Sequence, residues 1–183
     1  IGGHPHVVQP VQLLESTVDP EHKTVCLYSM GNAVSNQRLG NISYINTAHT
    51  EDGVLFTVTF EKYSDGTVYL AGADAIPTWV NMHSNSGGKR EYNILPLDYD
   101  RVGEWTEMFD IGDNTLNAAK NSYERTMAIV GEGLAASQAW LEEEKVQREE
   151  YYYDLAMNPE KYATEATEAF VEEPTEVETT EAA

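Results

Sequence analysis

A chain of 183 residues, 41% of them apolar, is long enough for one domain with a moderate core. Its 31 acidic against 11 basic residues give a formal net charge of −20, and a surface of that sign repels phosphate backbones, which argues against nucleic-acid binding. The single cysteine, Cys26, excludes an internal disulfide, and in its apolar surroundings it reads as a small buried hydrophobe rather than a nucleophile.

The chain opens Ile1-Gly2-Gly3-His4-Pro5-His6-Val7-Val8-Gln9. In an extended segment, side chains two residues apart share a face, with their Cα atoms about 6.5 to 7 Å apart. His4 and His6 are thereby expected to reach one metal ion or two adjacent ones. Pro5 fixes φ and biases His4 away from helix, while Gly2 and Gly3 let the backbone turn sharply or approach a ligand. Neutral imidazole is a common ligand for zinc, manganese and iron, but two ligands make neither a closed nor a catalytic site. The other reading of the pair is two surface histidines in a Pro-Gly loop. There is no initiator methionine, and Ile1 stands abruptly against the glycines, so the chain is expected to be the C-terminal part of a longer protein.

Val7 to Glu15 carries Pro10 and suits an edge strand. Ser16 to Lys23 is a turn, and the compact run Lys23 to Met30 predicts a buried strand. That strand delivers Gly31-Asn32 into the polar loop Ser35-Asn36-Gln37-Arg38, and loops at strand ends collect function. Asn32 is therefore a candidate site residue, the alternative being a turn residue tolerant of positive φ. Arg38 is a candidate bidentate clamp for an anionic substrate, or else the partner of a local carboxylate.

Gly53 to Lys62 alternates as a strand, with Leu55 out of phase with Phe56, Val58 and Phe60. Ser64-Asp65-Gly66 predicts a hairpin turn returning as Thr67 to Ala71. Ile76 to Val80 continues that strand or opens another, and Glu91 to Leu97 supplies one more. Trp79 reads as a packing anchor with its N–H on a backbone carbonyl, or as the lining of a ligand groove. His49 and His83 are expected to be solvated in polar loops, and Asn81 to Arg90 to be a flexible connection with a small basic spot at Lys89 and Arg90. Two helices follow: Asn114 to Gly131, with Asp113 as N-cap and Gly131 as C-cap, and Leu134 to about Leu155. The glutamates at 142–144 and 149–150 form a solvated face of the second. From Glu142 to Ala183 the chain holds 14 acidic and 3 basic residues, a charge of −11. Residues 158–183 are too poor in apolar side chains to order and predict a disordered acidic tail. No signal peptide or membrane span is visible.

Four separated segments, GGHPHVVQPVQLLE, LYSMGNAVSNQR, IPTWVN and KREYNILPLD, resemble in this order the C-terminal part of the CapA family, the bacterial poly-γ-glutamate capsule synthesis proteins with a calcineurin-like metallophosphoesterase fold. The resemblance runs from Ile1 to about Asp98. It implies an α+β or α/β fold: the C-terminal portion of a metallophosphoesterase-like β-sandwich with flanking helices over 1–110, a helical segment over 111–157, and the tail. It further implies that Gly3-His4-Pro5-His6 is the last metal motif of that superfamily, with His4 on one ion and His6 on the other of a divalent pair (manganese, iron or zinc).

The Asp, Asn and His ligands of the upstream motifs are not in this chain, so alone it is expected to be inactive. The family pattern has Phe after Gly-Asn where this chain has Ala33, which removes an aromatic from the pocket wall. The implied activity is metal-dependent hydrolysis of a phosphorylated or polyanionic substrate, with two cations about 3.5 to 4 Å apart. The implied partners are a missing N-terminal half and capsule-synthesis membrane proteins, and the implied location is the bacterial cell surface, outside the cytoplasm and associated with the membrane. A non-catalytic scaffold of a capsule-synthesis or export complex, docking partners through the strands after Asp52, is the rival from another class.

Overall fold

A computed structural model of the chain describes residues 1–20, 22–98, 102–108 and 111–162. The fold is mixed α+β, with two antiparallel sheets and one long helix. Two compact units divide it, the first running to Glu142 and the second beginning at Glu143.

In the first unit, β1 (Val11–Glu15) pairs antiparallel with β2 (Lys23–Leu27), Val11 opposite Leu27. The edge strand expected from Val7 thus starts only after Pro10, which has no N–H to give to a ladder. Cys26, in β2, is half-buried rather than enclosed. The second sheet has the order β3-β4-β5, with β3 Asp52–Lys62, β4 Val68–Ser84 and β5 Arg90–Pro96. Isolated bridges, Val8 with Met30 and Gly31 with Gly53, link the end of β2 to both neighbours.

The hairpin at Ser64-Asp65-Gly66 forms as the sequence predicts, with Gly66 at φ 93° and Asp65 Oδ1 accepting from Thr67 N at 2.8 Å. Its return strand is longer than expected, because Ile76 to Val80 continues β4. Pro77 is tolerated in this central strand because its carbonyl accepts from Leu97 N at 2.8 Å. In an antiparallel ladder a residue's N–H and C=O point the same way. The N–H that proline lacks would therefore face β5 only at the point where that pairing begins, Thr78 with Pro96. Only the first part of the expected alternation is buried: Phe56 packs on the core, whereas Val58 and Phe60 are exposed, and the pairing with β4 shifts register between Thr59 and Phe60. The flexible connection expected at Asn81 to Arg90 is instead the end of β4, a tight turn and the start of β5. Asn85 Oδ1 accepts from Gly87 N and Lys89 N, both at 3.0 Å, and His83 lies on the strand, 3.5 Å from Glu91.

Helix α1 spans Val102–Met108. Helix α2 runs unbroken over Asp113–Met157, so Gly131 is not a C-cap and the two expected helices are one. Gly131 stands in the helix interior with only the end of the Met127 side chain within reach, at 3.6 Å, whereas Gly133 has a structural role. At Gly133 an added Cβ would overlap the carbonyl oxygen of Val11, so the glycine is there to let α2 cross β1 closely. The buried face of α2 is built from Ala119, Ser122, Thr126, Val130, Leu134, Ser137 and Leu141, at helical spacing and mostly small.

Two apolar clusters result. One joins Val8, Val11, Leu27, Val54 and Ala75 to Val130 and Leu134, and the other joins Trp79, Leu95 and Leu97 to Ala119. A cavity of about 530 Å³ lies along α2, with Met127 and Leu134 from the first cluster and Leu97 and Tyr123 from the second in its lining. In the second unit, α3 (Pro159–Tyr162) folds back so that Lys161 and Tyr162 reach Asp154, at 2.6 and 2.5 Å. The disordered tail expected from residue 158 is thus helical over its first residues, which Asp154 holds, and the rest of it, beyond Tyr162, lies outside the described residues.

Candidate metal centre

The first nine residues are held against the end of β2 by backbone groups. Gly2 N donates to Leu27 O at 2.8 Å and Gln9 N to Ser29 O at 3.0 Å. A Cβ at Gly2 would overlap Tyr28 O, so the glycine is required for that approach, whereas Gly3 has open space around it. The fully buried Ser29 hydroxyl donates to Pro5 O at 3.1 Å and accepts from Gly31 N at 3.2 Å.

The backbone bends through Pro5, His6 and Val7. This corrects the expectation of an extended His-x-His segment. The period-two rule that would aim both rings alike holds only for extended backbone. His4 and His6 are both exposed, and they differ in their partners. His4 makes no hydrogen bond among the described residues, whereas His6 Nδ1 lies 2.9 Å from Asn32 Oδ1.

Asn32 is set in place by two glycines facing each other across the Gly31–Gly53 bridge. Gly31 has φ 71°, and a side chain there would also meet Asp52 O at 2.6 Å; a Cβ at Gly53 would stand 2.5 Å from Asn32 O. Positive φ therefore falls on Gly31, and Asn32 is not the turn residue. Its backbone N donates to Asp52 O at 3.2 Å. Its side-chain Nδ2 donates to His6 O at 3.1 Å and to Thr50 O at 2.9 Å. The amide is thus engaged at every polar atom, bringing the His-x-His corner and the loop after β2 into direct contact.

Arg38 lies elsewhere on that loop, in a closed knot. Its guanidinium sits 2.6 Å from Glu51 Oε2, donates to Val80 O, and lies 5.4 Å from the centre of the Trp79 ring. The side chains of Arg38 and Glu51 are 11% and 9% exposed, so the pairing with a local carboxylate is the geometry adopted. Trp79 is an anchor in the core, and its indole N–H donates to Glu51 Oε2 at 3.2 Å rather than to a backbone carbonyl. Glu51 Oε1 also accepts from Leu39 N at 3.1 Å.

Three consecutive residues outside the sequence-based candidates organise all of this. The Thr50 carbonyl fixes Asn32, Glu51 holds Arg38 and Trp79, and Asp52 joins the strand to α2. Asp52 is 1% exposed; Ser122 Oγ donates to its Oδ1 at 2.6 Å, and Arg125 grips both oxygens at 2.6 and 2.8 Å. The only local signal for them was an acidic turn, Thr-Glu-Asp-Gly, ahead of a strand. Their partners lie as far as 73 residues away.

As a donor set for a cation, the corner offers two exposed imidazoles, one of which has its second nitrogen on an oxygen acceptor. That is the arrangement a ligating histidine usually shows. Among the described residues no group of three His, Cys, Asp or Glu stands close enough to hold a metal ion, so the two imidazoles of the corner do not make a complete metal site. No helix among them is long and apolar enough to cross a membrane. Compared with protein-family models, curated proteins and solved structures, the chain matches none.

Proposed function

We propose that this chain supplies one edge of a two-metal phosphoesterase centre in a bacterial protein similar to the CapA family. The other ligands, from Asp, Asn and His, would come from an N-terminal half. The observation that supports this most is the hydrogen bonding of His6 to Asn32. It joins the two segments, Gly-His-Pro-His and Met-Gly-Asn, on which the family resemblance chiefly rests.

In this reading His4 and His6 each give one ring nitrogen to a cation (manganese, iron or zinc). Asn32 orients His6, and Arg38 acts through Glu51 to hold the loop whose Thr50 carbonyl fixes Asn32. A bound pair of divalent ions supplies Lewis acidity toward a phosphoryl oxygen and lowers the pKa of water at the site. The substrate class is a phosphorylated or polyanionic compound, the fold a metallophosphoesterase-like β-sandwich, and the location the outer face of the bacterial membrane, beside capsule-synthesis proteins. The test is hydrolysis of a generic phosphodiester by the manganese-loaded chain joined to its upstream half. Activity that disappears with His6→Ala supports the reading, and activity unchanged by that substitution overturns it.

One observation favours the rival scaffold. Leu55, Phe60 and Val68, on the β3–β4 hairpin, are 54%, 63% and 55% exposed, which suits a surface that docks a partner. Capsule output that persists in cells carrying His4→Ala with His6→Ala would select the scaffold over the enzyme.

A further inference from the structure

We infer that Asn32 is a positioning residue that fixes His6 in the tautomer protonated on Nδ1, leaving Nε2 as the only ring nitrogen with a lone pair for a ligand. The orientation of the Asn32 amide is not a free choice. One end of it faces two backbone carbonyls, His6 O at 3.1 Å and Thr50 O at 2.9 Å. Carbonyl oxygens only accept, so that end must be the NH₂ group; with the amide turned over, oxygen would face two oxygens. The other end, 2.9 Å from His6 Nδ1, is therefore the carbonyl. An acceptor at that distance demands a donor, so Nδ1 carries the proton in the neutral ring.

His6 Nε2 has no hydrogen-bond partner among the described residues, and the ring is exposed, so its lone pair remains available. The corner cannot readily relax out of this state. The Asn32 backbone is pinned by Gly31 and Gly53, and the carbonyl of Thr50 belongs to a buried residue whose hydroxyl donates to Gln37 O. His4 has no such partner, which makes the two histidines inequivalent: only His6 is preset before a ligand arrives.

The role of Nε2 toward a metal rests on the function proposed above, whereas the tautomer does not. Long-range proton–nitrogen correlation spectra of the whole 15N-labelled chain, at a pH where both rings are neutral, separate the two. The expected result is a pyrrole-like shift at Nδ1 and a pyridine-like shift at Nε2 for His6, with His4 showing the opposite tautomer that free imidazole side chains favour in water. Asn32→Ala should bring the His6 pattern to that of His4, and Asn32→Leu, which keeps the bulk, should do the same. Unchanged amide shifts along β3 and β4 show that neither variant has unfolded the sheet. A His6 that matches His4 in the parent chain, or keeps its pattern in both variants, overturns the inference. Adding zinc to the parent chain should then move the His6 Nε2 signal and not Nδ1. Movement at Nδ1 instead overturns the assignment of Nε2, whereas no movement at either nitrogen counts against the metal reading and leaves the tautomer standing.

Discussion

The Asn32–His6 corner and the Arg38–Glu51–Trp79 knot are built on one loop and anchored by adjacent residues, Thr50 and Glu51, yet they differ in kind. The corner is open: an exposed ring, an amide and backbone carbonyls, with one imidazole nitrogen left over. The knot is closed, with a charged pair about nine-tenths buried and an indole N–H on the same carboxylate oxygen as the guanidinium. A chemically capable side chain is available for function only where its partners leave an atom unsatisfied, and arginine, the stronger anion binder by type, is here the one consumed. The two regions should therefore respond oppositely to substitution, the knot in stability and the corner in ligand binding.

The largest effect should come from below both. Arg125→Met leaves the buried Asp52 carboxylate without its bidentate partner, and breaking a buried pair from one side costs about 3–5 kcal/mol. Denaturant unfolding of the variant should show a loss of that size. A shift below about 1 kcal/mol would mean that Asp52 is not the common base of both regions.

Within the knot, Glu51→Gln removes the charge opposite Arg38 and weakens the bond to Trp79, a loss of about 1.5–3 kcal/mol by the scale of charged hydrogen bonds. The same variant should leave the His6 spectrum unchanged. A change there would show that the two regions are one unit.

The glycines of α2 offer a parallel contrast between open and closed settings. Gly133→Ala forces a side chain into Val11 O and should destabilise by at least about 1–3 kcal/mol, the range for overpacking. Gly131→Ala meets only the flexible end of Met127, at 3.6 Å, and should stabilise by about 0.5–1 kcal/mol, as alanine does in a helix interior. Thermal unfolding of the two variants should move in opposite directions.

His6→Ala loses one exposed hydrogen bond and should change stability by less than about 1 kcal/mol while abolishing the zinc-induced shifts at the corner. A large stability loss instead would place His6 in the same class as Arg38.

The smallest effect belongs to the second unit. Hydrogen bonds from Lys161, then Tyr162 and Asn158, hold the Asp154 carboxyl down to about 2, below its ordinary 3.8. Because the folded value is the lower one, its contribution is present above about pH 3.8 and is lost as pH falls toward 2. Amide exchange at Asn158 and Lys161 should quicken across that window, and Asp154→Asn should remove the dependence.

What the sequence by itself determined is mostly local. The alternation from Gly53, the Ser-Asp-Gly turn and the run Lys23 to Met30 gave strands close to their observed places, since period and turn chemistry act within a few residues. His6 and Asn32 were singled out separately, each on the type of its residue and its place at a strand end. That the two touch was not legible, because residues 26 apart in the chain are brought together by the bridge between Val8 and Met30 and the bonds of Ser29 to Pro5 and Gln9. Glycine is ambiguous in one dimension: Gly131 reads as a helix cap, and only the fold shows the helix running on through it to Met157. Arg38 was likewise open between clamp and pair until the fold set Glu51 beside it. Periodicity carries the elements, but which polar atoms are spent and which are left over is settled by long-range neighbours. Only the tertiary structure supplies those.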